Sequence, residues 1–145
     1  MEPKFSIQTR IRKPVAEVFD AVYNPAKLSK YFATKSASGP LDEGARVTWS
    51  WADHPHPAEV DVKKVVRDQL IVFEWQAPEG YNTRVEMQFE KLSDDQTLVR
   101  ISESGWKTTK EGIESSYQNC EGWTQMSASL KAFLEYGINL RDGYY

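Results

Sequence analysis

The sequence is poor in the residues that close disulfides or hold metals. Cys120 is the one cysteine among 145 residues, so the chain can form neither an internal disulfide nor an all-cysteine metal site. The two histidines, His54 and His56, stand in one proline-flanked segment with no evident third ligand. We interpret this segment as a stiff, exposed loop that contacts a ligand at a rim, and not as a metal site. No glycine-rich phosphate loop or nucleotide fingerprint is present. We predict neither a metal nor a cofactor.

Long apolar runs and a strong excess of one charge are also missing. No stretch approaches the roughly 20 apolar residues that span a bilayer, and the N-terminal residues alternate instead of forming the apolar centre of a signal peptide. Eighteen basic and 21 acidic residues give a net charge of -3, which is too balanced for a protein that binds the phosphate backbone. We therefore expect a cytoplasmic protein without a membrane span that does not bind nucleic acid.

The sequence does contain enough apolar residues for one globular core. Hydrophobic residues make up 40% of the chain, aromatic residues 12% and charged residues 27%, which excludes disordered and coiled-coil classes. We see no repeat, linker or low-complexity segment. We therefore predict a single domain over residues 1–145.

Hydrophobic periodicity predicts strands in the first two-thirds of the chain. Apolar and polar residues alternate near the N-terminus and again in several central stretches, as in strands with one covered face. Turn signals at 67–69, 78–80 and 93–95 join the later stretches into an antiparallel meander. After the first strand, helical spacing predicts two short helices, with Pro14 at the first position of one and Asn24 as the N-cap of the other.

A long amphipathic helix ends the predicted order. Thr108 and Glu111 have the spacing of a capping box, and Gly137 suits the C-terminal stop. Gly112 and Gly122 each weaken a helix by about 1 kcal/mol relative to alanine, unless close packing requires a missing side chain. The predicted apolar stripe consists of Tyr117, Cys120, Trp123, Met126, Leu130, Phe133 and Leu134. For Cys120 this position indicates an inert core thiol.

The order of these elements predicts an α+β fold. A lone curved sheet must cover its apolar face, and the long helix is the one element large enough to do so. We therefore predict a helix-grip fold, in which a curved antiparallel β-sheet wraps around a long C-terminal helix and two short helices follow strand one.

Several short motifs, taken in their order, resemble those of a known family. They are Lys13-Pro14-x-x-x-Val18-Phe19, Tyr31-Phe32, Ile71-x-Phe73-x-Trp75, Thr97-x-Val99, Glu103-Ser104-Gly105-Trp106 and Gly122-Trp123 followed by Leu130-x-x-Phe133-Leu134. Over nearly the whole chain the sequence is similar to the START-like (SRPBCC) superfamily, and within it to the branch named after the activator of heat-shock-protein-90 ATPase homologue. The resemblance implies the helix-grip fold. Members include co-chaperones, lipid and hormone binders and cyclases, so fold alone does not settle function.

Strand parity places several large side chains on the inner face of the sheet, opposite the long helix. With the helix residues they make up the candidate ligand-binding set: Phe32, Trp49, Trp51, Trp75, Met87, Glu103, Tyr117, Trp123 and Met126. The rings either fill the interior as a packed aromatic core or leave a cavity for an apolar or aromatic ligand. Both interpretations stay open at this point.

Glu103 is the most informative single residue of that set. It shares a face with Val99 and Ile101, where a carboxylate either binds another group or loses the hydration that stabilises its charged form. It would then be an acid, a base or a ligand anchor. The simpler interpretation is a glutamate at the strand end near the mouth, solvated or paired with an arginine such as Arg84.

Three hypotheses for function follow. The first is a binding protein for a small apolar or aromatic ligand between the sheet and the C-terminal helix. The second, implied by the resemblance, is a co-chaperone that activates the ATPase of heat-shock-protein-90. The third is a cavity enzyme of cyclase or hydrolase type that uses Glu103 and bound water. Because Cys120 or a serine would lack the histidine base that a nucleophile usually needs, we favour a protein without catalytic residues. Leftover apolar surface is compatible with a homodimer.

Overall fold

A computed structural model describes residues 1–145, and its elements follow the predicted order. They are β1 (Lys4–Ile11), α1 (Val15–Tyr23), α2 (Pro25–Leu28), β2 (Ser36–Ala37), β3 (Arg46–Trp51), β4 (His54–Val66), β5 (Leu70–Gln76), β6 (Asn82–Ser93), β7 (Gln96–Ser104) and α3 (Lys110–Tyr136). None of the helices combines the length and the apolar character needed to cross a membrane.

The strands form one antiparallel sheet in the order β1-β7-β6-β5-β4-β3-β2. Strand β1 pairs with β7 from the other end of the meander, so that Phe5 lies opposite Glu103. Register shifts interrupt the β3–β4, β4–β5 and β6–β7 ladders, and such bulges bend a strand and increase its twist. The sheet therefore curves around α3, which confirms the predicted α+β helix-grip fold.

The short helices complete the core beside α3. Phe19 of α1 packs edge-on against Phe89 of β6, with ring centroids 5.3 Å apart. Tyr31, which follows α2, stacks on Phe133 of α3 at 5.2 Å, and its buried hydroxyl donates to the carbonyl of Ala21 at 2.9 Å. Burial raises the pKa of the Tyr31 hydroxyl well above its usual value. This tyrosine therefore joins α1, α2 and α3.

The helix ends differ from the predictions by one residue in two places. Pro14 is the N-cap of α1 and not its first helical residue. The N-cap of α3 is Thr109 and not Thr108, because Thr109 Oγ1 accepts the backbone N–H of Gly112 at 3.0 Å. Asn24 caps α2 and Gly137 ends α3 in the left-handed conformation, so both of these predictions are confirmed.

Two edge features were not predicted correctly. The two-residue strand β2 has no periodic pattern that could reveal it. The histidine segment is the start of β4 and not a loop, since Trp51 pairs with His54 across a tight turn at residues 52–53. Prolines are tolerated here because the segment lies near the edge of the sheet.

A buried carboxylate fastens the C-terminal end of α3 to the end of β1. The side chain of Glu135 is 4% exposed and pairs with Arg12 at 2.7 Å and Lys131 at 2.6 Å. Lys131 also donates to the carbonyl of Arg10 at 2.6 Å. Burial opposes ionisation, but the hydrogen bonds from Lys131 and Arg12 outweigh it and lower the pKa of Glu135 to about 2.

We expect Glu135→Gln to destabilise the fold at neutral pH by about 1.5–3 kcal/mol, the contribution of hydrogen bonds to a charged group. Because the pKa is lowered from 4.5 to about 2, this stabilisation is fully present above pH 4.5 and is lost as the pH falls towards 2. Urea unfolding of wild type and variant should therefore converge across that interval. The control is Glu114→Gln on the same helix, whose side chain is 57% exposed; an equal loss there would contradict the role of Glu135.

Candidate functional site

A pocket of about 620 Å³ opens to solvent between the start of β4, the β5–β6 turn, the middle of α3 and the C-terminal segment. Its walls consist of Phe32, Trp51, His54, His56, Pro57, Ala58, Trp75, Gln76, Ala77, Pro78, Thr83, Asn119, Gly122, Trp123, Arg141 and Tyr145. The volume lies within the range of small-molecule sites, which are mostly apolar with a few placed polar groups.

The carboxylate of Glu103 lies behind this wall and is 1% exposed. It accepts hydrogen bonds from Trp75 Nε1 at 2.9 Å, Thr83 Oγ1 at 2.7 Å, Trp123 Nε1 at 2.9 Å and Asn119 Nδ2, which is 3.1 Å from both oxygens. All four donors line the pocket. Glu103 thus holds four pocket side chains from behind; we call these five residues the Glu103 cluster.

The Glu103 cluster contains no cation. The two simpler expectations for Glu103 are both wrong. Solvation is wrong because the residue is 1% exposed. Pairing with Arg84 is wrong because Arg84 lies on the opposite face of β6 and bonds Glu86 at 3.3 Å. The charge is instead balanced by neutral donors, and indole N–H groups can only donate. Hydrogen bonds to an ionised carboxylate are about twice as strong as neutral ones, which offsets part of the desolvation.

The same hydrogen bonds fix a wall of aromatic rings. Trp75 and Trp123 stack with centroids 5.4 Å apart at an interplanar angle of 29°. Phe32 stacks on Trp123 at 5.7 Å, and Trp51 meets Phe32 edge-on at 5.5 Å. Because both stacked indoles are tied to one carboxylate, their planes cannot rotate independently.

The structure brings some of the candidate residues together and separates others. Phe32, Trp51, Trp75 and Trp123 line the pocket, and Glu103 lies behind it. Trp49, Met87 and Met126 are buried in the core and do not line it. The sequence left open whether the rings form a packed core or surround a cavity, and each interpretation describes a part of the interior. On one side of Glu103 the core is filled, and on the other side the pocket is open to solvent.

Tyr117 was expected to face inward, and this expectation is wrong. Its side chain is 70% exposed. The buried face of α3 in this region carries Ser115, Ser116 and Gly112, because the helix N-terminus lies close to the preceding backbone. A Cβ on Gly112 would come within 2.1 Å of the Lys107 carbonyl oxygen. Small residues form the buried stripe of α3 here, whereas the predicted stripe assumed large apolar side chains and therefore included Tyr117.

Cys120 was also expected in the core, but it is half-buried and lies outside the core cluster.

Sequence reasoning missed Thr83 and Asn119 as members of the site. Thr83 lies directly opposite Trp75 in the β5–β6 ladder, so the turn at 78–80 already implied their pairing. Asn119 precedes Trp123 by four residues, the spacing of neighbours on one helix face. Both signals are present in the sequence, but the candidate set included Glu103 as its one polar residue and no hydrogen-bond donor for it from β6 or the polar positions of α3.

The C-terminal segment forms one side of the pocket. Arg141 makes a two-pronged ion pair with Asp53 in the β3–β4 turn, at 2.8 and 2.9 Å. Its guanidinium carbon lies 4.9 Å from the ring centre of Tyr145, whose hydroxyl donates to Gln125 of α3. Partial burial raises the pKa of the Tyr145 hydroxyl. Residues 141–145 thus connect the hairpin to α3.

Fold and site together define a class: an α+β helix-grip domain with an aromatic pocket between the sheet and the long helix. A family model described as activator of Hsp90 ATPase homolog 1-like protein matches residues 12–135. The chain belongs to this family, which confirms the resemblance inferred from the sequence. No curated protein sequence matches the chain.

Solved structures show the same fold. A Staphylococcus saprophyticus protein matches with a TM-score of 0.81 and 25% identity, over 95% of this chain and 96% of that one. The solution structure of the Aha1 dimer from Colwellia psychrerythraea matches with a TM-score of 0.76 and 22% identity, over 92% and 97%. DynU16, from the dynemicin biosynthetic locus, matches with a TM-score of 0.83 and 20% identity over 96% of this chain but only 49% of its own length.

We expect Glu103→Gln to destabilise the protein markedly although it preserves the shape of the side chain. The new NH2 group faces N–H donors, and each donor that loses its acceptor costs about 1–3 kcal/mol. Urea unfolding followed by circular dichroism measures the loss. The matched control is Glu86→Gln on the outer face of β6, expected to change stability by less than about 0.5 kcal/mol. Equal stability of the two variants would contradict the role assigned to Glu103.

Proposed function

We propose that this protein binds a small apolar or aromatic molecule in the pocket between the sheet and α3. The observation that carries the proposal is the Glu103 cluster, in which four donors that line one open pocket are all fixed by a single buried carboxylate. A flat ring stacks favourably on indole faces. Trp75, the half-buried member of the stacked pair, is held by Trp123 and Glu103 and is therefore a preorganised surface for a ring of the ligand.

Gly122 gives independent support. It lies in the interior of α3, where glycine costs about 1 kcal/mol relative to alanine, and it lines the pocket. Gly112 is required by close packing, but a Cβ on Gly122 would meet no atom within 4 Å. The packing reason expected for helix glycines thus applies to Gly112 alone. At Gly122 the missing side chain keeps pocket volume free.

The geometry favours binding over catalysis by Glu103. Both of its oxygens accept hydrogen bonds from protein donors, and the residue does not line the pocket. A general acid or base must reach the proton that it transfers, directly or through one water. We therefore assign Glu103 a positioning role within the binding site.

We expect Gly122→Phe to fill the pocket and weaken binding of 2-naphthamide, used as a neutral aromatic probe, by about tenfold or more. The fold should persist, since the added ring enters open space. Gly122→Ala is the matched control: it should retain binding and raise the free energy of unfolding by up to about 1 kcal/mol. Quenching of tryptophan fluorescence measures binding. Unchanged affinity in a folded Gly122→Phe protein would contradict the proposed pocket.

The family description supports a second candidate function, activation of the ATPase of heat-shock-protein-90. It would act through a protein surface and not through the pocket, so Gly122→Phe separates the two candidates. If this function holds, the immobilised protein should retain the chaperone of the same organism and raise its ATPase rate, and Gly122→Phe should do so equally. No retention and no change in ATPase rate would contradict this second function, and the family description would then indicate common ancestry alone.

Two further expectations belong to the proposal. We propose a cytoplasmic location, in keeping with a single unpaired cysteine. The homodimer stays a prediction; the exposed apolar side chains that it would cover include Tyr117, Tyr136 and Ile138.

A further inference from the structure

We propose that the ligand is an aromatic acid, with its rings on the aromatic wall beside Trp75 and its negatively charged oxygen group on Arg141. This inference rests on the proposed binding function and adds the chemical class of the ligand. It is carried by the charges that line the pocket and by the hydrogen-bond donors that Arg141 leaves free.

The pocket wall carries positive charge and no negative charge. Its sixteen residues include no aspartate, glutamate or lysine, and Arg141 is the one side chain among them that is always ionised. His54 and His56 are the other basic groups. Two carboxylates lie next to the wall: Glu103, whose oxygens are turned towards its own donors, and Asp53, which pairs with Arg141. The side chains that line the pocket thus include basic groups and no carboxylate.

Arg141 is held rigidly but is not fully used. Its side chain is 14% exposed, and its guanidinium lies against the rings of Phe32, Trp51 and Tyr145 at 5.6, 5.9 and 4.9 Å. Asp53 takes Nε and Nη2, whereas Nη1 donates to no protein atom. A guanidinium has five N–H donors in a fixed fork. One edge of the fork therefore remains for an acceptor other than Asp53.

These features fit an oxyanion better than a neutral polar group. A carboxylate on the free edge of Arg141 forms charge-assisted hydrogen bonds, which are about twice as strong as neutral ones. Asp53 opposes this through its own negative charge but also fixes the fork in place. The distribution thus favours a ligand with a single negative group, and removal of the Asp53 charge should strengthen its binding.

The test compares two probes of nearly equal shape, 2-naphthoate and 2-naphthamide, by quenching of tryptophan fluorescence near neutral pH. Wild-type protein should bind the naphthoate about tenfold more tightly than the naphthamide, and the preference should shrink with added salt. Arg141→Met should abolish the preference, so that the variant binds the two probes with similar affinity. Asp53→Asn breaks the same ion pair but should increase the preference. A loosened C-terminal segment would weaken the preference in both variants, so this comparison separates it from the loss of the Arg141 charge.

The outcomes separate this inference from the proposed function. If wild type binds both probes equally, or if Arg141→Met keeps the preference, the aromatic-acid inference is wrong and the binding function stands. A preference in Asp53→Asn that falls to the level of Arg141→Met would also overturn it. If neither probe binds and native mass spectrometry of gently purified protein finds no bound small molecule, the binding function itself fails.

Discussion

The open end of this fold depends on a buried carboxylate that is surrounded only by hydrogen-bond donors. Glu103 on β7 accepts from Trp75 on β5, Thr83 on β6, and Asn119 and Trp123 on α3. One side chain thus links three strands to the helix that the sheet encloses. A buried ionised group is seldom the most stabilising choice, and apolar residues of similar volume often stabilise as much or more. What the carboxylate adds here is a fixed geometry for four side chains.

That geometry explains how a filled core and an open pocket coexist in one interior. Below the Glu103 cluster, Trp49, Met87 and Met126 are buried. Above it, Trp75 and the nearly buried Trp123 line the open pocket, where Gly122 leaves room. The curvature that brings α3 and the hairpin to opposite sides of this space comes from the bulges of the sheet. The proposed binding function follows from this division of the interior.

The sequence predicted the architecture well because it depends on periodicity. Alternation, turn residues and helix stops such as Gly137 are local signals, and strand parity correctly put Glu103 on the inner face. The partners of Glu103 are non-local: they depend on register, as for Thr83 opposite Trp75, and on how closely α3 approaches the sheet. Tyr117 was misplaced for that reason. Arg141 belongs to an irregular segment without periodicity, so no pattern connects it with Asp53.

Glu103 holds the Trp75 and Trp123 indoles of the pocket wall in place from behind. Hydrogen exchange of the indole N–H groups, followed by 15N-resolved NMR at neutral pH, measures this restraint. We expect these two N–H signals to exchange far more slowly than those of an exposed tryptophan, since each is bonded at 2.9 Å to a buried carboxylate. Exchange of either indole at the rate of a solvent-exposed indole would show that Glu103 does not hold it.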